Sequence, residues 1–222
     1  KFKEVIKIDH HPFEEEFGGI EWIDETASST CQMISEMLIK LKWNLSTNVA
    51  SNLFLGIVSD SDRFLLSYTT VKTFEITTEL LKRSKIPFTK LYEKLYERPI
   101  EEIRFRGFLA DNLTVTENGF AYVDIKAETI ENYRVDSATA SNMINDFNYI
   151  KDIHVWCFVT HDAKNNLYKV NIRSKGPVIN EIASKYHGGG HKYASGVRTS
   201  KREDIDNLLK DLDEACKEYK GA

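Results

Sequence analysis

The periodicity of apolar residues changes at Pro99, and no other feature of the chain restricts its fold as strongly. Before Pro99 the apolar positions recur at helical spacing; beyond it they gather into short runs separated by turn signals. A helix buries one stripe of its surface and a strand buries alternate residues, so the two patterns need different packing partners. The chain is therefore expected to fold as two α/β domains, 1–99 and 100–222, with the boundary between Pro99 and Phe105.

In the first part, Val5-Ile6-Lys7-Ile8 reads as a strand. A helix over 26–42 then places Cys31, Ile34, Met37, Leu38 and Leu41 on one face. Ser46 or Thr47 caps the next helix, whose stripe of Val49, Ala50, Leu53, Phe54, Ile57 and Val58 runs straight into Ser59-Asp60-Ser61-Asp62-Arg63-Phe64. Two more helices fit 70–84 and 88–96, with Pro87 and Pro99 punctuating the second. Beyond it, strands over 105–116 and 120–127 flank Glu117-Asn118-Gly119, a hairpin signal because Asn-Gly accepts positive φ. A helix over 137–148, strands over 153–160 and 167–173, a short helix over 178–186 and a final helix over 201–219 complete the reading.

Composition excludes several functions. With 222 residues, 41% of them hydrophobic and 29% charged, the chain can bury a core and has none of the marks of disorder. A net charge of -4 leaves no global basic footprint, so duplex DNA is not an expected partner and any nucleic-acid contact should be local and short. No apolar stretch approaches membrane-spanning length. Cys31, Cys157 and Cys216 are an odd number in unlike contexts, and they read as reduced core residues of a cytoplasmic protein. The opening Lys1-Phe2-Lys3-Glu4-Val5 starts almost inside a strand, and the chain is expected to be a fragment.

Asp9-His10-His11 stands where the first strand stops, followed at once by Pro12. The carboxyl end of a strand in an α/β sheet opens onto the crevice where ligands bind, and these side chains supply donors suited to manganese, iron or zinc. A polar strand exit would look the same. Adjacent strand residues point to opposite faces, so His10 and His11 reach one site only if the backbone turns there. Asp60 ends a helix, where the dipole disfavours a carboxylate, and either a metal or Arg63 would compensate it. A solvated turn after the helix also suits Ser59-Asp60-Ser61-Asp62. In the last third, Arg173-Ser174-Lys175-Gly176-Pro177 ends a strand in a cationic turn, where Arg173 could fork onto a phosphate. Gly188-Gly189-Gly190-His191 destabilises any regular element but lets backbone N–H groups approach an anion closely, with His191 and Lys192 adding donors. His154 and His161 read as structural, and Tyr92 with Tyr96 as interdomain packing.

Ile8-Asp9-His10-His11-Pro12, Gly56-Ile57-Val58-Ser59-Asp60 with Arg63-Phe64, and Arg173-Ser174-Lys175-Gly176 followed by Gly188-Gly189-Gly190-His191 together resemble the DHH phosphoesterase superfamily with its DHH-associated C-terminal domain. Within it the chain most resembles the oligoribonuclease and pAp phosphatase subgroup, the nano-RNases. The resemblance implies the remainder of a parallel-sheet catalytic domain up to residue 99, followed by a smaller mixed-sheet α/β domain that binds substrate. It implies two manganese ions between the domains, activating a hydroxide that attacks phosphorus. His10 and Asp60 would be metal ligands, Asp9 would orient a histidine, and His11 would lie against the substrate phosphate or the hydroxide. Arg173, Ser174, Gly188, Gly189, Gly190 and His191 would hold the terminal phosphate and nucleotide. Arg63 and Asp62 are further candidate site residues, Asp62 either as an added weak metal ligand or as a carboxylate pointing to solvent. Implied substrates are RNA of a few nucleotides and pAp; the oligomeric state is left open, with a homodimer as one candidate. A cyclic-di-AMP or pApA phosphodiesterase, or a catalytically silent nucleotide-binding module, would carry the same motifs. Two departures stand out. The family's upstream aspartate-rich metal motifs have no counterpart before Asp9, so this chain alone is expected to bind manganese poorly and to be inactive; and Asp62 occupies a position where the subgroup usually carries glycine.

Overall fold

The computed structural model describes residues 3–13, 15–85 and 87–220. The chain divides into two compact units, Lys1–Glu97 and Arg98–Ala222. In the first, strand β1 (Ile6–Asp9) pairs in parallel with β2 (Ile20–Ile23), Asp9 lying opposite Ile23. Four helices follow: α1 (Thr30–Lys40), α2 (Thr47–Asp60), α3 (Val71–Ser84) and α4 (Phe88–Tyr96). The Ser29 hydroxyl accepts from Gln32 N–H to start α1, and Ser46, not Thr47, accepts from Val49 N–H to start α2. Most of the stripes read from the sequence meet in one core, where Leu38, Phe54, Ile57, Leu80 and Leu91 are buried, but Leu41, just past the end of α1, and Val49, in the first turn of α2, are exposed. Gly56 brings α1 and α2 together: a Cβ there would lie 2.3 Å from Cys31 Sγ.

The second unit opens on a helix and not on the strand expected there. Residues 105–116 do not form a strand; helix α5 spans Ile100–Asp111, and only β3 (Thr114–Val115) follows it. Pro99 sits at its N-cap, Glu101 and Glu102 favour its first turn, and Phe105 and Leu109, one turn apart, are both fully buried. The aromatic content that reads as β-like is helical in its spacing. Then come β4 (Phe120–Ile125), α6 (Ala127–Tyr133), which the sequence reading lacks, and α7 (Ser137–Asn142), continued as a 3₁₀ turn over Met143–Phe147. Next are β5 (Val155–Asp162), β6 (Leu167–Ser174), α8 (Asn180–Lys185), β7 (Gly189–His191), β8 (Ala194–Thr199) and α9 (Arg202–Lys220).

One mixed sheet runs in the order β3-β4-β5-β6-β8-β7, parallel only between β4 and β5. Alternation along β5 builds both of its faces. Val155, Cys157 and Val159 join Ile205, Leu208, Leu212 and Cys216 of α9, while Trp156 and Phe158 join Phe105, Leu109, Ile144 and Phe147 on the other side. The hairpin at Glu117-Asn118-Gly119 forms as expected, with Gly119 at φ +86. Cys31, Cys157 and Cys216 are free thiols. No helix among the described residues is long and apolar enough to cross a membrane.

Candidate functional site

Strand β1 stops at Asp9 because its own carboxylate turns the chain: Asp9 Oδ1 accepts from His11 N–H at 3.1 Å and faces His11 Nδ1 at 2.8 Å. These bonds hold the Asp9 carboxyl below its ordinary pKa. They also favour the tautomer with the proton on Nδ1, which leaves His11 Nε2 outward on an exposed side chain. His10 goes the other way. Its ring is only 12% exposed, and its Nε2 stands 3.3 Å from Asp60 Oδ2 at the end of α2. Each histidine thus has its own carboxylate, and Asp9 orients His11 rather than His10.

Asp60 is held from behind. Tyr68 Oη donates to its carbonyl at 3.1 Å, and the buried Ser61 hydroxyl donates back to Ile57 O at 2.6 Å while accepting from Phe64 N–H. Between them Asp62, Arg63 and Phe64 all have positive φ, 44, 64 and 69, a run that L-residues seldom adopt. Of the two compensations expected for Asp60, a metal or Arg63, Arg63 does not serve. Its Nε and Nη2 donate to Asp62 Oδ1 at 3.0 and 2.7 Å, so Asp62 is engaged by its neighbour and His10 is what meets Asp60.

Two ligands on one zinc-sized ion, each about 2.1 Å from it, sit about 3.0–3.4 Å apart. The separation of His10 Nε2 from Asp60 Oδ2 fits that range, and the nitrogen and oxygen donors suit manganese. The donor set stops at two: among the described residues no three His, Cys, Asp or Glu side chains converge. Cys31 lies near enough for the Asp60 charge, together with burial as the larger cause, to push its thiol up.

In the second unit, register decides which of the expected residues share a face. Trp156, Arg173, Ala194 and His191 are cross-strand partners in one row over β5, β6, β8 and β7. Arg173 Nε donates to Asn145 Oδ1 at 3.1 Å and Nη1 to Ile172 O at 3.0 Å; burial lowers its pKa, and no carboxylate pairs with it among the described residues. A desolvated guanidinium held only by neutral acceptors is suited to an anion. Asn145, 28 residues from Arg173, had no sequence signal; Tyr68 likewise had none.

Ser174 does not join that row. As the next strand residue it faces the opposite side, where its hydroxyl donates to Pro177 O at 2.6 Å and accepts from Gly176 N–H. The glycine run also differs from the expectation of irregular backbone, since Gly189–His191 is the edge strand β7. A Cβ at Gly188 would lie 2.3 Å from Gly196 O, and one at Gly190, which has φ +130, would lie 2.6 Å from Ala194 O. Those two glycines serve the β7–β8 contact. Gly189 alone of the three faces open space, with nothing within 4 Å of its Cβ position. His154 packs against Tyr219 and His161 on Tyr168.

One unit with a His–Asp pair at the end of a parallel strand, and another built on a six-stranded mixed sheet, make this an α/β protein of two units. Residues 118–218 match the DHHA1 domain family. The bifunctional oligoribonuclease and PAP phosphatase NrnA of Bacillus subtilis is 38% identical over 220 residues, covering 97% of this chain and 69% of that protein. The probable enzyme of the same name from Streptococcus mutans is 34% identical, covering 94% and 67%. The crystal structure of an exopolyphosphatase-related protein from Bacteroides fragilis superposes with a TM-score of 0.85 at 23% identity, over 96% of this chain and 65% of that one. The chain belongs to the nano-RNase-like family of the DHH superfamily and spans about two thirds of the length of these relatives.

Proposed function

We propose that this chain serves a manganese-dependent phosphoesterase that degrades very short RNA to mononucleotides and dephosphorylates pAp to AMP. The observation that carries the reading is the approach of His10 Nε2 to Asp60 Oδ2 at 3.3 Å, at the end of a strand in a chain 38% identical to a protein named for those activities. His10 and Asp60 would hold one manganese ion; two such ions, when bound, supply a hydroxide at neutral pH and neutralise charge developing on the phosphate. Asp9 keeps the His11 Nδ1 proton in place, so that Nε2 presents a lone pair, or a proton when the ring is charged, to a phosphate oxygen or its attacking water. Arg173 and His191, which lie in one cross-strand row, grip a phosphate that does not react, and Gly189 leaves the neighbouring space open to it.

Two donors make a weak metal site, and that count favours a second reading in which this chain by itself is a nucleotide-binding module with little turnover. Both readings are tested by incubating the chain, and a protein extended to its relatives' length, with manganese and either a labelled dinucleotide or pAp. The expected result is mononucleotide and AMP from the extended protein and binding with little turnover by the chain. Turnover of neither substrate by the extended protein would sink the proposal. Preference for a cyclic over a linear dinucleotide would move the assignment to the cyclic-di-AMP or pApA phosphodiesterases.

A further inference from the structure

The Arg173 face of the sheet continues beyond the row already described. Two residues back along β6 stands Asn171, opposite Gly196 of β8, which in turn pairs with Gly189 of β7. Another two residues back stands Lys169, directly opposite Arg198. Along one face, therefore, a cation is followed by a trough floored with glycine and then by two cations side by side. Gly189 opens that trough to solvent, since nothing lies within 4 Å of its Cβ position.

Like charges directly opposite each other on a sheet are destabilising. Neither Lys169 nor Arg198 is paired with a carboxylate among the described residues, and the nearby Asp162 carboxylate is occupied by Lys164 N–H, Asn165 N–H and Asn165 Nδ2. The fold thus tolerates an unfavourable pair that an anion would turn into a favourable one. Spacing identifies the anion. Each stride of two strand residues covers about 7 Å, of the order of the separation of successive phosphates in an extended single strand, so the cation pair lies two strides from Arg173.

We propose that Lys169 and Arg198 form a second anion subsite, which takes a phosphodiester of single-stranded RNA about two phosphates away from the one at Arg173. The inference rests on the reading that Arg173 grips a substrate phosphate. A ligand as short as pAp fills the Arg173 site without reaching the pair, whereas a tetranucleotide spans both. The subsite therefore adds affinity with length and sets no base preference.

The test is binding of the chain to pAp and to a 5′-phosphorylated tetra-adenylate in EDTA, where nothing is hydrolysed, comparing the parent with the Lys169→Ala/Arg198→Ala double variant and with Arg173→Ala. The double variant should bind pAp as the parent does and tetra-adenylate about tenfold more weakly, with a salt slope shallower by about 0.7 for one lost single-strand phosphate contact. Its urea midpoint should hold or rise, because a repulsive pair has been removed. Unchanged tetra-adenylate binding, an equal loss for both ligands, or a lowered urea midpoint would overturn the subsite. If the parent binds neither ligand, or Arg173→Ala weakens neither, the underlying reading of Arg173 fails and the subsite falls with it.

Discussion

Replacing Gly56 by alanine should strain the contact that sets Asp60 in place. A Cβ at Gly56 would lie 2.3 Å from Cys31 Sγ and 3.0 Å from Cys31 Cβ, well inside van der Waals contact. Alanine in a helix interior is favoured over glycine by about 1 kcal/mol. Overpacking of a close contact costs about 1–3 kcal/mol. The net loss expected for Gly56→Ala is therefore about 1 kcal/mol, although the substitution improves helix propensity. Cys31→Ala removes the sulfur that the methyl meets, so the double variant should recover most of the loss, giving a coupling of about 1–2 kcal/mol between residues in contact. Urea unfolding followed by fluorescence measures it, with Trp22 and Trp43 in the first unit and Trp156 in the second. Asp60 lies four residues beyond Gly56, one turn along α2, so manganese affinity should fall in Gly56→Ala and return in the double variant. Additive effects within about 0.5 kcal/mol would refute the claim that these helices meet through this glycine.

In a protein of the relatives' length, His10→Ala or Asp60→Ala should lower turnover by orders of magnitude, each removing a metal donor, and a manganese titration by electron paramagnetic resonance should show weaker binding; near-normal rates would remove both from the ligand set. Arg173→Ala should weaken pAp binding by about 10–100-fold, the range of a lost charge-assisted hydrogen bond, with kcat little changed because its phosphate does not react; a collapse of kcat at constant KM would contradict that role. Alkaline pH should destabilise the second unit. Burial, aided by the Asp213 charge, pushes the Cys216 thiol up from 9.0 to about 12, and burial with the Asp211 carboxylate pushes Tyr186 up from 10.0 to about 12. Both groups ionise first in the unfolded chain, so their contribution is complete below pH 9.0 and is lost as the pH rises toward 12. The urea midpoint reported by Trp156 should fall across that window, and a flat profile would show that these groups are not held neutral by the fold.

Much of the fold is written in local pattern. The stripes of α1 to α4 and the Asn-Gly hairpin depend on neighbours a few residues apart, and they form where the periodicity and turn chemistry put them. Residues 105–116 read as a strand because Phe, Val and Thr favour strands by type, whereas the burial of Phe105 and Leu109 one turn apart fits a helix. The alternation of Lys169, Asn171 and Arg173 along β6 was visible in sequence, but its meaning was not, since that depended on Arg198 being the partner across β8.

At the site the division runs along the same line. Short-range chemistry marked Asp9, His10, His11, Asp60, Arg173 and the glycine run as candidates, because each marks the end of an element or a backbone that needs special freedom. Pairings across space were beyond it. Only the folded chain puts His10 rather than Arg63 against Asp60, turns Ser174 away from Arg173, spends Gly188 and Gly190 on strand β8, and lines two cations opposite each other beyond a glycine trough. Each of those outcomes turns on strand register or on where a helix ends relative to a distant strand, and a one-residue change in either would send the same side chains to the opposite face.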